Sequence, residues 1–146
     1  MKTIGVLGGL GPQATMDFEV GIHRLSQQLI PQRANTGYPP MVVYYYRYAP
    51  VLLTEDGSPL FPLKPDPRLL EAVKKLGTCA DFLVITANAP HPLQADIEQV
   101  SGRKVVSMID ATLNEVLRRG LKKVGVVGLG EPRVYLNALE QRGIAC

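Results

Sequence analysis

A chain of 146 residues that is 46% hydrophobic fits one ordinary domain with a packed core and excludes a disordered polymer. Sixteen basic against thirteen acidic residues leave a net charge of +3. Short pairs such as Lys74-Lys75, Arg118-Arg119 and Lys122-Lys123 read as solvated helix ends rather than a nucleic-acid track. Two cysteines and two widely separated histidines suggest neither a disulfide scaffold nor metal-ligand spacing, so no metal is expected.

The chain opens directly on a β-branched run, residues 3–7, that reads as strand one. A helix starts at Pro12, where a missing N–H is harmless, and continues to about Ile30. Residues 41–46 form strand two. The connection at residues 48–64 contains several prolines and no clear period, and is expected to be a substrate-covering or dimer-contact loop, or else a surface excursion. Asp66 caps and Pro67 starts the next helix, which sets Leu69, Leu70, Val73 and Leu76 on one face and ends at Gly77.

Residues 82–85, Phe-Leu-Val-Ile, read as a central strand covered on both faces. The chain then breaks at Asn88, Pro90 and Pro92, which puts Asn88 and His91 just past the strand's carboxyl end, where open α/β sheets bind ligands. Leu93, Ile97 and Val100 fit a short helix stopped by Ser101-Gly102, and Val105-Val106 a brief fourth strand. Asp110 is expected to cap a helix that buries Leu113, Val116 and Leu117, pairs Glu115 with Arg119, and closes at Gly120. A fifth strand at residues 123–127 and a helix from Pro132 to about Gln141, ended by Gly143, complete the pattern. Strands alternating with helices give an α/β fold, a parallel sheet flanked by helices and doubly wound.

Several side chains invite chemistry. Gly9, Leu10 and Gly11 follow a strand and open a helix, so backbone N–H groups and a positive helix end can receive a carboxylate, the alternative being tight packing. A dinucleotide is disfavoured because strand two ends in Tyr46-Arg47 and not in an acidic residue. Arg47 can pair bidentately with a carboxylate. Asn88 offers a donor and an acceptor to a zwitterion, and His91 a proton near neutral pH. Their plainer roles are bonds to the local backbone. Thr86 lacks an adjacent base and suits packing better than attack. Tyr44, Tyr45, Tyr46 and Tyr48 can line a pocket, although strand alternation sends some of them into the core. Cys79 precedes the site strand and reads as a small buried hydrophobe.

The opening Lys2-Thr3-Ile4-Gly5-Val6-Leu7-Gly8-Gly9-Leu10-Gly11-Pro12, the helix entry Asp66-Pro67, Ala80-Asp81-Phe82 before the site strand, Ser107-Met108-Ile109-Asp110, and Val124-Gly125-Val126-Val127-Gly128 resemble the aspartate/glutamate (Asp/Glu/hydantoin) racemase family over most of the chain. The resemblance implies a cofactor-independent amino-acid racemase or isomerase, acting on a small carboxylate or amino acid in a cleft between two lobes. It implies a first lobe over residues 1–120 and the beginning of a second, incomplete lobe over residues 121–146. Family members carry Cys-Asn-Thr where this chain has Ala87-Asn88-Ala89. In the two-thiol mechanism one cysteine removes the α-proton and another returns it from the opposite face. Ala87 can do neither, and Cys146 does not match the second thiol's motif. No catalytic residue is therefore assigned, with His91 the one candidate. The implied substrate-binding set is Gly9, Leu10, Gly11, Arg47, Thr86, Asn88, Ala89 and His91. The expected partner protein is a second copy, as a homodimer, with no nucleic acid and no membrane, in the cytoplasm. Gly128, Leu129, Gly130 and Glu131 stand where the family's second lobe offers threonines, which weakens aspartate or glutamate as substrate. Two alternatives stay open. One is a decarboxylase-like relative needing a single thiol, and the other a non-catalytic carboxylate-binding or interaction protein.

Overall fold

The computed structural model describes residues 1–34, 36–127 and 133–146. They form two compact units, Met1–Val105 and Val106–Cys146.

The first unit holds β1 (Ile4–Gly8), α1 (Pro12–Leu29), β2 (Met41–Tyr45), α2 (Pro67–Cys79), β3 (Phe82–Ile85), a 3-10 turn (His91–Leu93) and α3 (Gln94–Ser101). β4 (Val105–Val106) closes it, in a sheet of order β2-β1-β3-β4. β1 pairs in parallel with β2, Val6 beside Val43, and with β3, Val6 beside Val84. This is the doubly wound α/β fold expected from the alternating pattern. In such an order the chain leaves β1 in one direction for β2 and in the other for β3 and β4. The crevice at the carboxyl ends of β1 and β3 is therefore the topological switch point.

One core cluster joins Leu7, Leu83 and Ile85 of the sheet to Leu69, Ala72, Val73 and Leu76 of α2, with Leu93, Ile97 and Val105. Burying side chains of this size contributes about 1.5–3 kcal/mol each. α2 begins as its sequence dictates, Asp66 accepting the Arg68 N–H at 2.8 Å. It does not end at Gly77, however, and runs on to Cys79. Gly77 is instead the point where α3 approaches: a Cβ there would lie 2.1 Å from the Ser101 carbonyl oxygen. Cys79 is exposed and not a buried hydrophobe, because it lies off the buried stripe of α2, with Sγ 3.5 Å from the carbonyl oxygens of Lys75 and Leu76.

The connection at residues 48–64 bonds to itself. Val51 bridges Pro65 and Leu53 bridges Pro59, both antiparallel, and Thr54 and Ser58 close the tip around Gly57. Val51 anchors this arm in the core, while Leu53 and Phe61 are exposed.

The second unit contains α4 (Met108–Arg118) and α5 (Arg133–Gln141). Ile109 and Leu113 pack with Leu139 and Ile144, and Val124 and Val126 lie against them. The cap of α4 is Ser107, whose Oγ accepts the Asp110 N–H at 3.2 Å, so Asp110 is in the first turn and not the cap itself. Its carboxylate accepts a hydrogen bond from Arg142 at 2.6 Å. Glu115 pairs with Arg119 at 2.7 Å as the spacing predicts, and also with Arg118 at 2.6 Å. The two guanidinium groups hold the Glu115 carboxyl down at about 2. The run at 123–127 is not a strand among the described residues. Pairing there is confined to one parallel bridge, Lys123 with Ala145, and a ladder needs a run of consecutive partners. The expectation about Gly128, Leu129, Gly130 and Glu131 and the start of the last helix at Pro132 lie outside the described residues.

Candidate functional site

Three segments meet at the carboxyl edge of the first unit's sheet. They are the turn after β1, the end of β2 and the loop after β3. Gly8 pairs with Tyr45, and the Tyr46 N–H donates to the Gly8 carbonyl at 2.8 Å, which lays Tyr46 and Arg47 against the glycine turn. Gly9 has φ of +82°, and a Cβ on it would fall 2.9 Å from Tyr45 Cα and Tyr46 N. A side chain there would push β2 away from the turn, so glycine serves the packing here as well as the conformation.

Thr15, in the first turn of α1, ties the turn to β3. It is fully buried; its Oγ1 accepts the Gly9 N–H at 2.9 Å and lies 2.8 Å from Thr86 Oγ1. The Gly9 N–H is therefore already taken, and Leu10 and Gly11 are what the turn presents outward. Thr86 is also spoken for: it is 2% exposed, bonded to Thr15, and its N–H donates to the Leu7 carbonyl.

Arg47 is exposed, and its Nη1 donates to the Gly9 carbonyl at 3.1 Å. That single bond steadies the guanidinium over the turn and uses one of its five N–H groups. Gly9, Leu10, Pro12, Tyr46, Arg47 and Tyr48 line a hollow of about 180 Å³. Arg47 thus stands on the wall of the hollow in front of the glycine turn.

Beyond Thr86, Ala87 is half-buried and Asn88 and Ala89 are exposed on the bend that leaves β3. The Asn88 carbonyl accepts the His91 N–H at 3.1 Å. His91 is 5% exposed, and its Nδ1 is 2.8 Å from the Ala87 carbonyl oxygen, which makes that nitrogen the donor. The imidazole therefore fixes the loop that carries Ala87 and Asn88, the role a structural histidine would have.

Within β2, Tyr44 is half-buried and Tyr45 exposed, as strand alternation requires, and beyond the strand Tyr46 turns into the core while Tyr48 does not. Tyr46 is 2% exposed and its hydroxyl donates to the Ala49 carbonyl at 3.0 Å, whereas Tyr45 and Tyr48 are exposed. Burial, reinforced by the charge of Asp66, pushes the Tyr46 hydroxyl up to about 12. Asp66 itself is buried and holds Arg68 in a fork, Nε at 2.9 Å and Nη2 at 2.6 Å, which keeps its carboxyl below the usual range. Arg68 in turn lies 4.2 Å over the Tyr48 ring. A second hollow, of about 360 Å³, runs along Tyr44, Tyr45, Tyr46, Arg47, Tyr48, Arg68 and Glu71.

Sequence reasoning missed Thr15 as a site residue and saw Asp66 only as a helix cap. A threonine one turn into a helix that follows a glycine turn is a usable signal, since its hydroxyl reaches back toward orphan N–H groups. Nothing in the order of residues announces the pairing of Thr15 with Thr86, which are 71 positions apart. Among the described residues no group of three His, Cys, Asp or Glu side chains is placed to hold a metal ion. None of the described helices is long and apolar enough to cross a membrane.

The comparisons with known proteins agree with this architecture. The Asp/Glu/hydantoin racemase family model matches residues 7–145. The chain is 26% identical over 147 residues to the broad specificity amino-acid racemase RacX of Bacillus subtilis (strain 168), covering 96% of this chain and 61% of that protein. It superposes on the crystal structure of PH1733, an aspartate racemase homologue from Pyrococcus horikoshii OT3, with a TM-score of 0.74 and 25% identity, over 99% of this chain and 63% of that one. A Yersinia pestis protein described as an Asp/Glu racemase shares the fold, with a TM-score of 0.69 at 18% identity, again over 99% and 63% of the two chains. The chain thus spans less than two thirds of the length of each of these relatives. With a family model matched over nearly its whole length, this chain belongs to the Asp/Glu/hydantoin racemase family.

Proposed function

We propose that the carboxyl edge of the first unit binds the carboxylate end of a small molecule, an α-amino acid in the first instance, within a protein of the cofactor-independent amino-acid racemase and isomerase type. The observation that carries this reading is Arg47, whose guanidinium is braced on the Gly9 carbonyl at the mouth of a hollow lined by Gly9, Leu10 and Pro12. A planar fork of donors beside a helix amino terminus favours a carboxylate on two counts, hydrogen bonding and charge. Leu10 and Gly11 would offer backbone to the same ligand, and we keep Asn88 and Ala89, exposed on the loop that His91 holds, as further members of the proposed site. Thr86 supports this edge from within, through Thr15.

In this reading the 146 residues alone do not racemise aspartate or glutamate, because Ala87 supplies no thiol where family members carry a cysteine. We take the first compact unit as the lobe that carries this site, with the homodimer as the working form. Two exposed free thiols suit the reducing cytoplasm. The non-catalytic alternative keeps the same carboxylate site and dispenses with turnover.

The test separates binding from chemistry. Saturation-transfer NMR with aspartate and alanine should show ligand signals that Arg47→Gln abolishes and Arg47→Lys weakens. Incubation in deuterated water should give no protein-dependent exchange of the α-proton of either enantiomer of aspartate. Undiminished signals in Arg47→Gln would remove Arg47 from the site, and exchange above background would overturn the reading of Ala87.

A further inference from the structure

The hollow along Tyr44, Tyr45, Tyr48, Arg68 and Glu71 is twice the volume of the one at the glycine turn, about 360 against about 180 Å³. The two share Tyr46, Arg47 and Tyr48 as walls, so a single ligand anchored at Arg47 reaches both. We propose that this tyrosine groove is a side-chain subsite that selects α-amino acids bearing an aromatic ring. The inference rests on the carboxylate-binding reading of Arg47 given above.

Charge argues against an acidic side chain. Arg68 is held by both oxygens of Asp66, and Glu71 and Arg47 stand on the groove with opposite signs. With Arg68 neutralised by Asp66 and Arg47 committed to the ligand's own α-carboxylate, Glu71 is left to repel a second carboxylate, as in aspartate. Aromatic surface remains as its distinguishing property. Tyr48 is clamped between the Arg68 guanidinium, 4.2 Å over its ring, and the Tyr46 ring, packed edge-on at 5.7 Å. Tyr45 stands at the rim, 44% exposed, with a ring open to an incoming partner. Rings held in fixed orientation receive another ring by offset or edge contact without first losing side-chain freedom. The volume lies within the roughly 300–1,000 Å³ of small-molecule sites, at the end suited to one amino acid.

The chain contains no tryptophan, so indole fluorescence excited at the red edge of its band reports the ligand alone. Added tryptophan should show a saturable rise in anisotropy, displaced by phenylalanine and at least about tenfold less well by alanine. Tyr45→Ala should weaken tryptophan about three- to tenfold, the strength of one aromatic contact, and Tyr45→Phe should preserve it. Neither variant should alter the saturation-transfer signal of aspartate. Circular dichroism melts establish that the variants fold. Tryptophan binding no tighter than alanine, or unchanged in Tyr45→Ala, would overturn the subsite and leave the carboxylate reading standing if Arg47→Gln still abolishes aspartate binding. Tryptophan binding lost in Tyr45→Ala but indifferent to Arg47→Gln would keep the groove and overturn the anchor. Absence of binding by every amino acid would overturn both.

Discussion

Thr15 and Thr86 meet hydroxyl to hydroxyl at 2.8 Å inside the carboxyl edge of the sheet, joining the helix after β1 to the end of β3. Because Thr15 Oγ1 also receives the Gly9 N–H, one buried atom fixes the glycine turn relative to the strand that leads to Ala87. The position of Arg47 depends on this link, since the Gly9 carbonyl is what braces it.

Replacing Thr15 by valine keeps the shape and removes the hydroxyl, leaving the Gly9 N–H and the Thr86 hydroxyl without their partner. The expected destabilisation is about 2–3 kcal/mol, read from urea unfolding midpoints at constant m. The double variant Thr15→Val with Thr86→Val should recover part of that loss, because one orphaned group has been removed with its partner. Strict additivity of the two single effects would show that the hydroxyls do not interact.

Two helical glycines should respond in opposite directions to alanine. Gly77→Ala would set a Cβ against the Ser101 carbonyl, and the resulting separation of α2 and α3 should cost about 1–3 kcal/mol despite alanine's better helix propensity. Gly21→Ala, inside α1 with open space around it, should stabilise by about 0.5–1 kcal/mol. Thermal unfolding of the pair compares them directly, and a destabilised Gly21→Ala would mean that this side of α1 is covered.

Alkaline pH should act through Tyr46. Its hydroxyl ionises near 12 in the folded protein against 10.0 for an ordinary tyrosine, so the unfolded chain releases this proton first. The stabilising contribution is complete below pH 10 and is lost as pH rises from there toward 12. Tyr46→Phe keeps the ring, gives up the bond to Ala49, and should flatten the fall in stability over that window. Absorbance titration of the tyrosinates should show one late step missing from the variant.

A thiol placed at position 87 tests the site edge by reactivity. Ala87→Cys puts sulfur on the loop after β3, next to Thr86, which is bonded to the first turn of α1. The helix amino terminus favours a thiolate, so at neutral pH this half-buried cysteine should be alkylated faster than the exposed Cys79. Mass spectrometry after brief labelling decides the order. Preferential labelling of Cys79 would show that position 87 lies outside the influence of that helix end.

The doubly wound sheet was legible without coordinates because its signals are local. Apolar runs of four or five residues at Ile4 and Phe82, Pro12 and Pro67 at helix starts, and glycines such as Gly102 and Gly120 just past helix ends each specify backbone conformation from neighbouring chemistry alone. Residue type and place also marked Arg47 and the glycine turn as neighbours at one sheet edge, which the bond from Arg47 to the Gly9 carbonyl bears out. What the order of residues could not specify was which groups satisfy one another across the fold. Gly77 looked like a helix stop and is a contact point between helices. Cys79 looked buried and faces solvent because it lies off the packed stripe of α2. The Gly9 N–H, free by its position in the turn, is occupied by Thr15, and Asp66 is a partner of Arg68 as well as a cap. Local propensity is encoded within a few residues, whereas burial and hydrogen-bond pairing depend on segments brought together only when the sheet closes, and those pairings were left to the tertiary structure.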